Sequence, residues 1–254
     1  NSGTGKTGVL TLPILELLSK GEPAQANKAG VRMLTPTREL AAQVGESVAA
    51  YGRNLPLRSA VVFGGVKINP QMMKLRKGVD VLVATPGRLL DLMNQGHINL
   101  SGVEVFVLDE ADRMLDMGFI HDIKKVIAKL PKKRQSLFFS ATMEPKVVEL
   151  ARKLVQDPVY VTIAPDKPAV ERIVQKVMFV DKKHKDELIV TLLSDKKIDR
   201  VIVFTQMKHV ANKVVSKLER AGITAAAIHG NKSQTARTNA LADFKAGRVR
   251  ALVA

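Results

Sequence analysis

Residues 103–112 read Val-Glu-Val-Phe-Val-Leu-Asp-Glu-Ala-Asp, and the fold is decided by how they are read. A run rich in Val and Phe ends abruptly in Asp109, Glu110 and, one residue on, Asp112. Such a run suits a strand buried on both faces of a parallel sheet. Acids at the carboxyl end of that strand stand where open α/β sheets bind their ligands. Three carboxylates there repel one another unless a cation joins them, and Mg²⁺ takes oxygen ligands of this type. The plainer reading is the acidic first turn of a helix, which Asp and Glu favour.

Outward from this stretch, short apolar runs alternate with amphipathic ones. Strands are predicted at 31–34, 59–63, 79–84, 103–108, 136–139 and 159–163. Between them, Phe119, Ile123, Val126, Ile127 and Leu130 make one helical stripe, with Lys124, Lys125 and Lys129 facing away. Val147, Leu150, Ala151 and Leu154 make another. This alternation implies a parallel sheet with helices on both faces. Residues 164–171, with two prolines and mixed charge, read as a linker. The alternation then restarts, with strands at 173–180, 201–204, 224–228 and 249–253 and helices at 185–193, 207–218 and 234–244. The expected organisation is an α/β domain over 1–163 and a second, partial α/β domain over 172–254.

The 254 residues carry a net charge of +16, which points to a polyanionic partner, nucleic acid before membrane surface. No run reaches the roughly 18 apolar residues of a membrane span. There is no cysteine, so disulfides, thiol chemistry and Cys-based zinc sites are excluded. That fits a reducing, cytoplasmic setting. Aromatic residues make up 4% with no Trp, so stacking of bases on aromatic platforms is not the expected mode of contact. The chain opens inside a loop motif without an initiator Met and stops at Ala254 within a predicted strand. It therefore reads as an internal fragment.

That opening motif is Ser2-Gly3-Thr4-Gly5-Lys6-Thr7, ahead of a helix with Leu10, Leu12, Ile14, Leu15 and Leu18. A glycine-rich turn opening a helix aims backbone N–H groups at an anion, and the helix dipole assists. Lys6 would reach the β- and γ-phosphates, and the Thr7 hydroxyl would bind Mg²⁺. A phosphate loop needs a metal-binding acid on a neighbouring strand, and Asp109 and Glu110 supply it. Together they indicate a nucleotide hydrolase. Mg²⁺ would be held by Thr7 and, through water, Asp109, and Glu110 would orient and activate the attacking water. No arginine of the sequence stands out as the arginine finger such sites use.

Pro36-Thr37-Arg38-Glu39-Leu40, Gly64-Gly65, Thr85-Pro86-Gly87-Arg88, Asp109-Glu110-Ala111-Asp112 and Ser140-Ala141-Thr142 follow the phosphate loop in that order. Each alone is weak; five in order are highly specific. Over essentially its whole length the chain resembles the DEAD-box family of ATP-dependent RNA helicases. Residues 62–73 and 227–234 look like its bacterial RhlE subgroup.

The resemblance implies two RecA-like domains, the second truncated, and ATP, Mg²⁺ and RNA as ligands. It implies that Pro36, Thr37, Arg38, Gly64, Gly65, Thr85, Pro86, Gly87 and Arg88 line the RNA path, Thr37 and Pro86 being readable also as plain helix starts. In the second domain it implies RNA contacts from Thr205, His229, Gly230, Gln234 and Arg237. Met207 stands where the family has a hydroxyl, which puts a phosphate contact there in doubt. It also implies that Asp112, bonded by Ser140 and Thr142, couples nucleotide state to RNA. Family elements before Asn1 and after Ala254 would be missing, so this stretch alone is expected to show little RNA-stimulated ATP turnover and weak, non-specific RNA binding. The alternative function is an ATP-gated RNA clamp or scaffold without unwinding. A DNA translocase is disfavoured by the Thr85–Arg88 and Asp109–Asp112 motifs.

Overall fold

The computed structural model describes residues 6–20, 30–163 and 173–254. The chain forms two compact units, Asn1–Tyr160 and Val161–Ala254.

The first unit is a five-stranded parallel sheet in the order β2-β3-β1-β4-β5. Its strands are β1 (Val31–Leu34), β2 (Ser59–Val62), β3 (Val81–Ala84), β4 (Val105–Leu108) and β5 (Gln135–Phe138). The three central strands are buried along their whole length. Continuous apolar runs such as Val105-Phe106-Val107-Leu108 do this because a parallel strand is covered on both faces. On one face, Val31, Met33, Val81, Val83, Val105 and Val107 pack under α1 (Lys6–Ser19) and α2 (Arg38–Tyr51). On the other, Leu34, Leu82, Phe106 and Leu108 pack under α3 (Asn69–Arg76), α4 (Pro86–Asn94), α5 (Ala111–Asp116), α6 (Ile120–Ile127) and α7 (Pro145–Leu154). Both predicted helical stripes face this core: Ile123, Val126 and Leu130 from one, and Val147, Leu150, Ala151 and Leu154 from the other, are buried.

Arg32 is an exception in the middle of β1. It is fully buried, donates to the carbonyl of Asn99 at 3.3 Å, and burial lowers its pKa to about 9.

The second unit contains β6 (Val201–Val203), β7 (Ala225–Ala227) and β8 (Ala251–Val253), parallel in the order β6-β8-β7. Leu193 of α8 (Lys185–Ser194) and Ala211, Val214 and Leu218 of α9 (Lys208–Arg220) cover one face. The last helix, α10 (Gln234–Lys245), buries Ala240.

Two strand predictions are corrected. Residues 159–163 and 173–180 carry strand-like apolar patterns but have no regular structure; Val159 is 90% and Phe179 98% exposed. Neither finds a partner strand among the described residues, and pairing, rather than residue preference, makes a strand. The helical stretch after β4 is also two helices, broken at Gly118, whose φ of +82° suits glycine. The expected linker, 164–171, lies outside the described residues.

Candidate nucleotide and nucleic-acid site

Parallel strands bring all their following loops to one edge. Thr35-Pro36-Thr37 follows β1, Phe63-Gly64-Gly65 follows β2, and Thr85 follows β3. Asp109-Glu110 follows β4, and Phe139 to Thr142 follow β5. Every motif of the first unit after the phosphate loop therefore meets at the carboxyl edge of one sheet. The strand order reverses at β1 and β4, a topological switch point where such sheets bind ligands.

The acidic half lies beyond β4 and β5. Asp109 is 7% exposed, and its Oδ1 accepts the N–H of Glu110 at 2.9 Å. Glu110 adopts a left-handed backbone (φ 54°, ψ 53°), unusual for a residue with a side chain and costly unless its surroundings enforce it. The enforcement is visible: the next N–H, of Ala111, bonds the carbonyl of Phe139 at 3.0 Å. The Glu110 side chain meets Arg113 at 3.3 Å. Glu110 stands at the N-cap of α5 without a side-chain cap bond and Asp112 lies in its first turn, so the plain helix-start reading also describes this stretch.

Asp112 links β4 to β5. Its Oδ2 accepts the backbone N–H of Thr142 at 2.9 Å and the Thr142 hydroxyl at 3.2 Å. Its own N–H donates to Ser140 Oγ at 3.2 Å, and its Oδ1 takes the N–H of Arg113 at 2.9 Å. Burial pushes its pKa up. The N–H groups of Arg113 and Thr142 and the hydroxyls of Thr142 and Ser140 together outweigh burial and hold it below the usual carboxylate range.

The other half, beyond β1 to β3, is built from glycine and arginine. Gly65 has a φ of +79°, and a methyl there would run into the guanidinium of Arg38. Arg38 opens α2, where Thr37 is the cap: its hydroxyl accepts the N–H of Leu40 at 3.2 Å. Thr85 precedes Pro86 at the start of α4, and its hydroxyl makes no cap bond. Arg88, one turn on, is 11% exposed; it donates to the carbonyl of Val66 at 3.1 Å, and its Nη1 is buried without a partner. A buried guanidinium nitrogen of that kind is suited to an acceptor brought by a ligand, phosphate oxygen above all. Gly87 sits beside it, with space at its Cα as far as Asp122.

Gln71 is a residue that motif reading missed. It is buried on α3, and its amide bonds both the N–H (3.2 Å) and the carbonyl (3.1 Å) of Phe63, with a longer bond to the carbonyl of Lys67. One side chain thus fixes both ends of the turn carrying Gly64-Gly65. A signal was present: Gln71 lies four residues before Leu75, on the buried face of a helix, where a polar group needs partners.

Of the phosphate-loop residues, Ser2, Gly3, Thr4 and Gly5 lie outside the described residues; Lys6 is the first residue of α1 and Thr7 the second. In the second unit, Ser233 caps α10 by accepting the N–H of Ala236, which places Gln234 and Arg237 on its first turn. His229 faces Asn212 at 3.2 Å, and burial with Lys232 and Lys208 nearby lowers its pKa. Gly230 follows it. The hydroxyl of Thr205 is directed to backbone carbonyls of Met207 (3.2 Å) and Ala254 (3.0 Å). Among the described residues no three His, Asp or Glu side chains gather to hold a metal, and no helix is long and apolar enough to cross a membrane.

Comparison with known proteins matches residues 1–151, more than half the chain, to the family described as DEAD/DEAH box helicase. The chain belongs to that family. Residues 184–254 match a second description, helicase conserved C-terminal domain. Among relatives, the chain is 40% identical over 250 residues to DEAD-box ATP-dependent RNA helicase 30 of Oryza sativa subsp. japonica, covering 97% of itself and 38% of the relative. It is 39% identical over 259 residues to ATP-dependent RNA helicase RhlB of Pseudomonas putida, covering 100% of itself and 65% of the relative. The solved structure of Saccharomyces cerevisiae Dbp5 bound to RNA and ADP BeF3 superimposes with a TM-score of 0.80 at 30% identity, over 99% of this chain and 63% of that one. This DEAD-box chain thus spans between about two fifths and two thirds of these relatives. Its fold is of the RecA-like α/β type they share.

Proposed function

We propose that the protein is an ATP-dependent RNA helicase, which binds RNA and ATP at the carboxyl edge of the first sheet and unwinds short duplexes or remodels ribonucleoprotein. The observation that carries it is the division of that edge into a carboxylate half beyond β4 and β5 and an arginine–glycine half beyond β1 to β3.

For ATP, the motif Ser2 to Thr7 would hold the triphosphate with backbone N–H groups, and Lys6 would neutralise its charge. The oxygen donors fit Mg²⁺, which uses one or two protein ligands and completes its shell with phosphate and water: a hydroxyl from Thr7 and the buried carboxylate of Asp109. Held there by Thr7 and Asp109, the ion would offset charge developing in the transition state. Glu110, held in a left-handed backbone by the Ala111–Phe139 bond, would accept a proton from the attacking water.

On the arginine–glycine half, Arg38, Arg88 and the backbone of Pro36, Thr37, Gly64, Gly65, Thr85, Pro86 and Gly87 take the sugar–phosphate chain. In the second unit, Thr205, His229, Gly230, Gln234 and Arg237 are the RNA contacts that the family resemblance implies. Such contacts position RNA without reading its sequence. Asp112, tied to Ser140 and Thr142, couples the two halves. The finer placement within the RhlE subgroup rests on residues 62–73 and 227–234, and a cytoplasmic setting on the absence of cysteine.

Measuring ATP turnover with and without RNA in Glu110→Gln of the complete protein tests this reading. Expected is retained ATP and RNA binding with turnover lost. Turnover surviving the change would contradict the assignment of the base. A protein that holds RNA in response to ATP but never separates a duplex would be the ATP-gated clamp instead.

A further inference from the structure

The residues at the opposite, amino-terminal edge of the first sheet take no part in the site described above. There the last turn of α6, the loop leading into β5 and the last turn of α7 come together. Arg134 ties the loop to α7, donating from Nη1 to the carbonyl of Pro131 at 2.6 Å and from Nη2 to the carbonyl of Leu154 at 3.1 Å. Across the same corner, Glu149 of α7 meets Lys153 at 2.6 Å and Lys124 of α6 at 4.0 Å. The corner therefore gathers Lys124, Lys125, Lys129, Lys132, Lys133, Arg152 and Lys153, all exposed.

The carboxylates do not match this density. Glu149 is shared by two of the lysines, and Glu104, whose carbonyl takes the N–H of Gln135, stands at the border. Lys125, Lys129, Lys132 and Lys133 have no ion pair among the described residues. Seven like charges on two helix ends and one loop repel one another, a standing cost unless a polyanion is there to relieve it. Both helix ends also present carbonyl dipoles that favour these cations, so fold and charge pattern agree locally. The corner is held rigidly, because Arg134 fixes its loop and Leu130 and Leu154 anchor its helix ends in the core.

We propose that this corner is a second RNA-binding surface, which takes the phosphate backbone of RNA outside the segment held at the carboxyl edge. It rests on the reading of the protein as RNA-binding. Lysine is depleted from protein–protein interfaces, which are anchored by aromatic and Arg side chains, and this corner offers lysines without an exposed large apolar residue among them. Phosphate chains need no such anchor. The two surfaces lie at opposite ends of the strands, so a short RNA fills one of them and a long RNA can reach both.

The test is the triple charge reversal Lys129→Glu, Lys132→Glu, Lys133→Glu in the intact chain, with circular dichroism to check folding. Affinity is measured across a salt series for single-stranded RNA of about eight and about thirty nucleotides. Each lost phosphate contact lowers the slope of log K against log salt by about 0.7 on a single strand, so the long RNA should lose about two units of slope. At low salt it should bind on the order of tenfold more weakly, while the short RNA binds as before. An unchanged long-RNA slope would overturn the inference. Equal losses on both lengths would do so too, since they would reflect overall charge rather than a contact. Arg88→Ala separates this from the site reading. Loss of short-RNA binding in that variant, with the triple variant indistinguishable from wild type on both lengths, removes the second surface and keeps the first. Wild-type protein that binds neither RNA removes both.

Discussion

The two halves of the carboxyl edge are built on different principles. Beyond β4 and β5, carboxylates and hydroxyls are fixed by named bonds: Asp109 to Glu110 N–H, and Asp112 to Thr142 and Ser140. Single atoms matter there. Beyond β1 to β3, a glycine turn, a capped helix start and half-buried guanidiniums form a surface to which many atoms contribute a little. Bond-making chemistry needs the first kind of construction, and sequence-tolerant grip on a polymer needs the second. The difference predicts that substitutions on the acidic side act on turnover, and those on the glycine–arginine side act on RNA affinity.

The largest effect is expected from Glu110→Gln. Removing a general base typically costs about a hundred- to ten-thousandfold in rate. Steady-state ATP turnover should fall by that order while RNA affinity is kept; a comparable loss of RNA affinity would break the division.

Next comes Gln71→Leu, which strips Phe63 of two partners in a part-buried turn. Unsatisfied groups of this kind cost about 2 kcal/mol. For a chain of this size that lowers Tm by about 4–8 °C, readable by thermal unfolding. RNA affinity should fall as well, because the Gly64-Gly65 turn loosens, whereas ATP binding should not.

Gly65→Ala should act more narrowly. The left-handed φ and the displaced Arg38 together should weaken RNA binding by about tenfold, or about 1.4 kcal/mol, in a fluorescence anisotropy titration.

Thr142→Val is expected to have the smallest effect. It removes one of two bonds from Thr142 to Asp112 and leaves the backbone one. A carboxylate with a depressed pKa stabilises the fold above its ordinary value, and that stabilisation is lost as pH falls through the folded value. Losing the hydroxyl raises the folded value, so acid unfolding followed by circular dichroism should begin at higher pH than in wild type.

How far the sequence could be read differs between these regions for physical reasons. The central strands were readable because burial on both faces demands unbroken apolar runs, as at 31–34 and 105–108. The acidic cluster alone reads equally as a helix start, and it is the phosphate-loop motif upstream that turns the reading towards a metal site. Residues 159–163 and 173–180 misled because an apolar stretch becomes a strand only when a neighbour accepts its hydrogen bonds. Gln71 was missed because its importance lies in meeting Phe63, eight residues away, with both ends of one amide. The left-handed Glu110 was invisible because backbone conformation at a non-glycine residue is imposed from outside, here by the Ala111–Phe139 bond. The gathering of Lys124, Lys132 and Lys153 at one corner emerges only when α6 and α7 end side by side.

The central claim of the proposal is that one edge serves ATP on one side and RNA on the other, with Asp112, on the ATP side, coupling them. Its most direct test is the affinity for RNA with and without a non-hydrolysable ATP analogue, in wild type and Asp112→Ala. Coupled sites typically change one another's affinity by about 5–150-fold, equally in both directions. The account predicts coupling in that range for wild type and a ratio near one for Asp112→Ala, with each ligand alone still bound. Undiminished coupling in Asp112→Ala would contradict it.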